Sequence, residues 1–344
     1  MKQEVLSLNI FEKTAQFPLK CVLKKSDGAE IPVVWNFKGR HHTVLICLHG
    51  FGGDKDSSVI SALREDLDKE GIGVITFDWP AHGESNAKDS EFTVERCQED
   101  LDAVVGFVRQ ITDGLNKKIS CFATSFGGYI ATLYRNRHPG VFKHLILRSP
   151  AFKMADVLKK IMSVEDFSKL RNGEQVLMGF ERKMQIGKEF YESLLANPVY
   201  DTPVEDPLQV MILQGYSDDI VDPDDTISYA KRNHICLQIF YGTDHRYKKP
   251  GELKKIVRYT EQFLTMVYSE SIYDKIYRVY SGVNVDVWDE KAGKWRMDEY
   301  APIRYTDILG GGGGWDKYDN MKREEAWQRI RRLGGTIDEF VKGW

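Results

Sequence analysis

KISCFATSFGGYIATLY, residues 118–134, is the stretch whose reading decides the fold. Ile119, Cys121 and Phe122 close a short apolar strand, and Tyr129 to Tyr134 reads as the start of a helix. Between them lie Ala123, Thr124, Ser125, Phe126, Gly127 and Gly128. A chain passing from strand to helix in so few residues must turn through a tight corner, and Ser125 sits at it. Small residues stand two before (Ala123) and two after (Gly127), where the two backbones nearly touch. Such a corner lifts the serine hydroxyl above the sheet edge, beside the positive end of a helix. The alternative is a serine that caps the helix and does nothing else.

Outward from this corner the chain alternates. TVLICLHG, 43–50, is apolar on both faces like a central strand and runs into the glycine-rich HGFGGDKDS. Ser58 to Glu70 has helical spacing, GVITFDWPAHGES (73–85) is a second buried strand with a turn, and Phe92 to Thr112 is a long amphipathic helix. After the corner comes HLILRSPAF, 144–152. Strands alternating with helices argue an α/β class, with a mostly parallel central sheet wrapped by helices on both faces. Residues 4–37 alternate around Ser26-Asp27-Gly28 and read as an antiparallel hairpin or meander at the sheet's start.

The rhythm breaks at 153–206, rich in Met and aromatics and without an evident buried strand until PLQVMILQG at 207–215. This segment is expected to be an inserted, mainly helical cap. Strand and helix then resume through 235–241 and 251–267. The expected division is therefore a core of 1–152 and 207–268, a cap of 153–206, and a small C-terminal unit, 269–344. That last unit carries five of the chain's seven tryptophans, so it is not a solvated linker. A hairpin is expected over 283–300, a connector at the five glycines 310–314, and a helix over Asp319–Leu333. The tryptophans would form this unit's own core, or serve self-association or protein docking.

Ser125 needs a base, and the base needs an orienting acid. Sites on such sheets gather at the carboxyl ends of the strands. Two later strand ends supply candidates: GYSDDIV, with Asp218 and Asp219, and GTDHR, with Asp244 and His245. The order serine, acid, histidine is the one expected on this architecture.

Four motifs taken in order, LHGFGG (48–53), FDWPAHGES (77–85), ATSFGG (123–128) and the pair GYSDDIV with GTDHR, make residues 20–267 resemble an α/β-hydrolase. The resemblance is strongest to the cinnamoyl/feruloyl esterase and monoacylglycerol-lipase-like carboxylesterases. It implies Ser125 as nucleophile, His245 as base and Asp218 as the acid, since Gly215, Asp218 and Val221 match the family's Gly-x-x-Asp-x-x-Val. It also implies an oxyanion hole from the backbone N–H groups of Phe51 and Phe126. His49 and His82 are expected to hold their loops. Ala123 stands where the family usually has glycine, Gln214 where many relatives have histidine, and Ala81 where many have glycine. The expected activity is hydrolysis of carboxylic esters through an acyl-enzyme. Alternatives on the same residues are thioester, lysophospholipid or acyl-transfer chemistry, or a non-catalytic binding protein on a hydrolase scaffold.

Composition is compatible with this. A net charge of −3 gives no general attraction to nucleic acid or anionic membranes. No apolar run nears the ~20 residues of a membrane span. The start, MKQEVLSLNIF, lacks the pattern of a signal peptide. Five scattered cysteines suggest buried free thiols in a reducing compartment, so a cytoplasmic location is expected, with no disulfide framework, metal or cofactor. The expected partner is a small-molecule ester.

Overall fold

The computed structural model describes residues 18–37, 41–112, 118–179, 183–205 and 209–265, and then 267–270, 276–280, 284–289 and 294–297. Its centre is an eight-stranded sheet in the order β1-β2-β4-β3-β5-β6-β9-β10. The strands are β1 (Leu19–Lys24), β2 (Glu30–Trp35), β3 (Thr43–Leu48), β4 (Ile72–Phe77), β5 (Lys118–Thr124), β6 (Leu145–Arg148), β9 (Val210–Gly215) and β10 (Cys236–Phe240). β1, β2 and β4 pair antiparallel, and from β4 to β10 every neighbouring pair is parallel.

Burial explains the sequence pattern. β3 and β4 are buried at every position, because helices cover both faces. Val44, Ile46, Leu48, Cys121, Ala123 and Leu147 face one apolar core with helices α2 (Val94–Ile111) and α3 (Phe126–Arg137). Leu45, Cys47, Phe122, Ile146 and Leu213 face the other, with α1 (Ser58–Leu67) and α8 (Glu252–Thr265). β1 is an edge strand and alternates instead, with Lys20, Val22 and Lys24 turned outward. Gly28, at φ +85°, makes the turn into β2. Helix α2 starts where the Thr93 hydroxyl accepts from Arg96 N–H, and α7 (Pro223–Arg232) starts with proline in its first turn behind an Asp222 cap.

Between β6 and β9 lie α4 (Met154–Ile161), α5 (Val164–Arg171), a two-stranded antiparallel hairpin, β7 (Val176–Gly179) with β8 (Lys183–Ile186), and α6 (Lys188–Ala196). The hairpin departs from the mainly helical expectation. Val176, Met178, Met184 and Ile186 are buried while Leu177 is exposed. That is strand alternation, but over four residues it is too short to stand out in a sequence. Helix α6 is tied to the core: Val94 N–H donates to Ser193 Oγ (3.1 Å), Tyr129 Oη to the Asn197 carbonyl (2.8 Å), and Asn197 Nδ2 to Glu95 Oε1 (2.8 Å).

Beyond α8, strands β11 (Val267–Glu270), β12 (Ile276–Tyr280), β13 (Asn284–Asp289) and β14 (Lys294–Met297) form a separate antiparallel sheet in sequence order. The hairpin read at 283–300 is the β13–β14 pair, with Trp288 opposite Trp295. The glycine run 310–314, the helix expected over 319–333 and the first part of the N-terminal meander lie outside the described residues.

Candidate active site

At the strand-to-helix corner Ser125 has φ +52° and ψ −115°. A non-glycine residue there is strained by roughly 1–3 kcal/mol and is held by its surroundings. Those surroundings are specific. Ser125 N–H donates to the Arg148 carbonyl (3.0 Å), and its own carbonyl accepts from Ala151 and Tyr129 N–H (both 3.1 Å). A Cβ on Gly127 would lie 2.6 Å from the His49 carbonyl oxygen and 2.9 Å from that of Leu48, so helix α3 can approach the β3 loop only with glycine there. The Ser125 side chain makes no capping hydrogen bond to α3. The helix-capping alternative therefore fails, and the hydroxyl is left to other chemistry.

Asp218 and His245 come together from the loops after β9 and β10. His245 Nδ1 lies 2.8 Å from Asp218 Oδ2 and 3.0 Å from Oδ1. The carboxylate also accepts from Ile220 N–H (3.0 Å), Val221 N–H (2.8 Å) and Gln214 Nε2 (3.1 Å). Its side chain is wholly buried. Burial pushes the Asp218 carboxyl up, but the hydrogen bond and charge of His245 and the two backbone donors outweigh it, so the group sits below the usual carboxylate range. An ionised Asp218 fixes the proton on Nδ1 and leaves Nε2 as the basic edge of the ring. Gln214, where many relatives carry histidine, is thus a donor to the acid. Asp219 is exposed. Asp244 accepts from Arg246 and Tyr247 N–H (2.9 and 2.7 Å) and so caps its own turn.

Ser125 and this pair share one edge. The ends of β5, β6, β9 and β10 are laced by Ser125 N–H to Arg148 O, Ser149 N–H to Leu213 O, Tyr216 N–H to Phe240 O and Ser217 N–H to Thr243 O. Among the described residues the Ser125 hydroxyl makes no hydrogen bond to the imidazole.

The β3 loop is fixed by groups that sequence reading named only in part. His82 Nδ1 is 2.9 Å from the Pro80 carbonyl and its Nε2 accepts from Gly52 N–H (3.1 Å). His49 Nδ1 is 2.9 Å from the Gly50 carbonyl and its Nε2 accepts from Trp79 N–H (3.2 Å). Both rings hold loops, as expected, and both have their basic nitrogen engaged. Beneath them the buried Asp78 accepts from Lys55 N–H (2.8 Å) and Glu84 N–H (2.9 Å), and Lys55 Nζ stands 3.3 Å from it. Gly52 and Gly53 N–H are committed, to His82 and to Gly50. Phe51 N–H and Phe126 N–H donate to no group of the described residues, the latter as the first residue of α3.

Four rings close one side. Phe190 of α6 stacks on Phe51 (6.0 Å) and on Phe92 (4.1 Å), and Phe126 meets Phe92 edge-on at 5.5 Å. A cleft of about 520 Å³ runs between α4 and α7, walled by Pro150, Ala151, Phe152, Val157 and Val221 and rimmed by Lys153 and other charged side chains. Two of its lining residues touch the site through backbone hydrogen bonds, Ala151 N–H to the Ser125 carbonyl and Val221 N–H to Asp218 Oδ1. Among the described residues no group of acids, histidines or cysteines is placed to hold a metal, and no helix is long and apolar enough to cross a membrane. All five cysteines are free.

Comparison with known proteins bears on the fold. A family model described as "Serine aminopeptidase, S33" matches residues 39–172. Lysophospholipase L2 of Escherichia coli K12 is 32% identical over 158 residues, which are 42% of this chain and 45% of that protein. The chain thus spans less than half the length of this curated relative. Est1E of Butyrivibrio proteoclasticus, solved with ferulic acid bound, superposes with a TM-score of 0.59 at 19% identity, covering 70% of this chain and 96% of its own. Alpha/beta hydrolase domain-containing protein 10 from mouse gives 0.56 at 17% identity, over 70% and 95%. The chain has the α/β-hydrolase fold.

Proposed function

We propose that this chain, an α/β-hydrolase by fold, is a serine hydrolase that cleaves carboxylic esters through an acyl-enzyme. The observation that carries the reading is the Asp218 carboxylate 2.8 Å from His245 Nδ1, on the same strand-end edge as a strained, uncapped Ser125. In this mechanism Nε2 of His245 takes the Ser125 proton as the hydroxyl oxygen attacks the ester carbonyl. Asp218 keeps the imidazole oriented and offsets its positive form. Phe51 and Phe126 N–H receive the oxyanion, each such donor contributing roughly 10²–10³ in rate. The same imidazole proton then goes to the leaving alcohol, and a water deprotonated by Nε2 releases the acid.

In this reading the cleft between α4 and α7 takes the substrate's larger group, because Ala151 and Val221 in its wall are hydrogen-bonded to Ser125 and Asp218. Its volume suits a small organic acyl or alcohol group. In this reading 153–206 is a cap whose α6 end is anchored and whose α4 end shapes the cleft. The test is turnover of a panel of p-nitrophenyl esters, hydroxycinnamate esters, thioesters, lysophospholipids and aminoacyl p-nitroanilides, with fluorophosphonate labelling alongside. Ester turnover and labelling that both vanish in Ser125→Ala are expected. Turnover in that variant within about tenfold of the parent would refute the assignment, since losing a nucleophile costs far more. Preferential cleavage of the anilides would move the substrate to peptides.

A further inference from the structure

Arg148 is a buried cation that the mechanism leaves unused. It ends β6, beside Leu213 of β9, and is 8% exposed. Its backbone carbonyl holds Ser125 N–H. Its guanidinium lies over the Tyr247 ring, 5.1 Å from the centroid, and its Nε has no hydrogen-bond partner. Tyr247 follows His245 by two residues, has φ +57°, and is pinned by Oη donating to the Leu213 carbonyl (3.0 Å). A charge placed so deep, with no carboxylate mate among the described residues, is costly, and the aromatic face offsets part of that cost. Asp218 and Asp244 are the carboxylates whose charges act on it, and burial works against its ionisation.

We propose that Arg148 is a positioning residue for the Asp218–His245 pair: its buried positive charge favours an ionised Asp218 and a neutral imidazole, and its stack on Tyr247 holds the turn that carries His245. The other charged groups around that turn include its own Asp244 and Arg246, Lys249, whose Nζ donates to the Gly242 carbonyl, and, from α8, Glu252, which accepts from Thr243 Oγ1 and Lys249 N–H. Removing the cation relieves the imidazolium of a repulsion, so His245 should protonate at higher pH. The expected displacement is roughly 0.5–1 pH unit, the scale of a partly screened unit charge.

The inference rests on the esterase reading only for its kinetic readout, so two readouts are used. Arg148→Met and Arg148→Lys are compared with the parent by the pH dependence of kcat/KM on a p-nitrophenyl ester. They are also compared by the pH dependence of His245 C2–H exchange, followed by mass spectrometry, which needs no turnover. The acid limb and the exchange midpoint should both rise in Arg148→Met and stay with the parent in Arg148→Lys. An unmoved midpoint in Arg148→Met, even with turnover reduced, overturns the proposal, as does a lysine variant that shifts like methionine. If Arg148→Met lacks a cooperative thermal transition, Arg148→Gln carries the same expectation with a planar group over the ring. A midpoint that moves in a protein without ester turnover would sustain the role of Arg148 and sink the esterase reading.

Discussion

Gly127→Ala adds one methyl group where helix α3 packs directly on the backbone at the end of β3. The new carbon would stand 2.6 Å from the His49 carbonyl oxygen, 2.9 Å from that of Leu48 and 3.1 Å from the Leu48 carbonyl carbon. All three are backbone atoms, so no side chain can swing aside. Contact at an ordinary 3.4 Å or more requires roughly 0.8 Å of separation between α3 and the end of β3. β3 is paired on both sides, with β4 and β5, and resists that movement. Overpacking of this kind costs typically 1–3 kcal/mol, which for a core of this size lowers Tm by about 2–10 °C. The functional cost should be larger. The displaced segment carries Phe51, and a shift near 1 Å at a positioned group can cost about 10² in kcat. The assay is differential scanning calorimetry beside kcat and KM for a short p-nitrophenyl ester. Expected is a modest fall in Tm with a fall in kcat of about 10²-fold and little change in KM. An alanine variant that melts and turns over like the parent would refute the close-packing argument and weaken the placement of Phe51 N–H as an oxyanion donor.

Asp218→Asn should keep the fold but lower kcat/KM by about 10³–10⁴, as loss of the orienting acid does in other triads, measured with the same ester. Because Asp218 is held below the usual carboxylate range, its stabilisation is present above about pH 4 and lost as pH falls through its folded value. The stability gap between parent and Asp218→Asn, by urea unfolding, should therefore narrow in acid; a gap that widens would contradict the charge assignment. Lys55→Met leaves the buried Asp78 without its cation and should destabilise by roughly 3–5 kcal/mol, read from the urea midpoint. A loss under 1 kcal/mol would show that backbone donors alone suffice for Asp78.

Much of the architecture follows from local pattern. Apolar runs such as TVLICL and IGVITF can be central strands only if both faces are covered, which already implies helices on each side. The corner at Ser125 is legible too, because Ala123 and Gly127 mark where two backbones approach, although the same spacing also suits a helix-capping serine until the structure shows its side chain uncapped. Loop order alone also placed Asp218 and His245 at strand ends. The β7–β8 hairpin was hidden because two four-residue strands carry too little periodicity.

The sequence by itself determined the layered sheet and the serine corner, which depend on residue type and short-range spacing, while the choice of Asp218 among the candidate acids came from the family resemblance. Only the tertiary structure decided which groups act on one another across the chain. It gave Gln214 to the Asp218 carboxylate, Lys55 to Asp78, Phe190 to the rings beside Phe51, and Arg148 to the turn of His245. Apart from Gln214 and Asp218, which are four residues apart, each of these joins elements distant along the chain, and an isolated lysine, phenylalanine or arginine has no local periodicity to betray its mate. Burial and charge balance are properties of the assembled layers, so they appear only once the layers are in place.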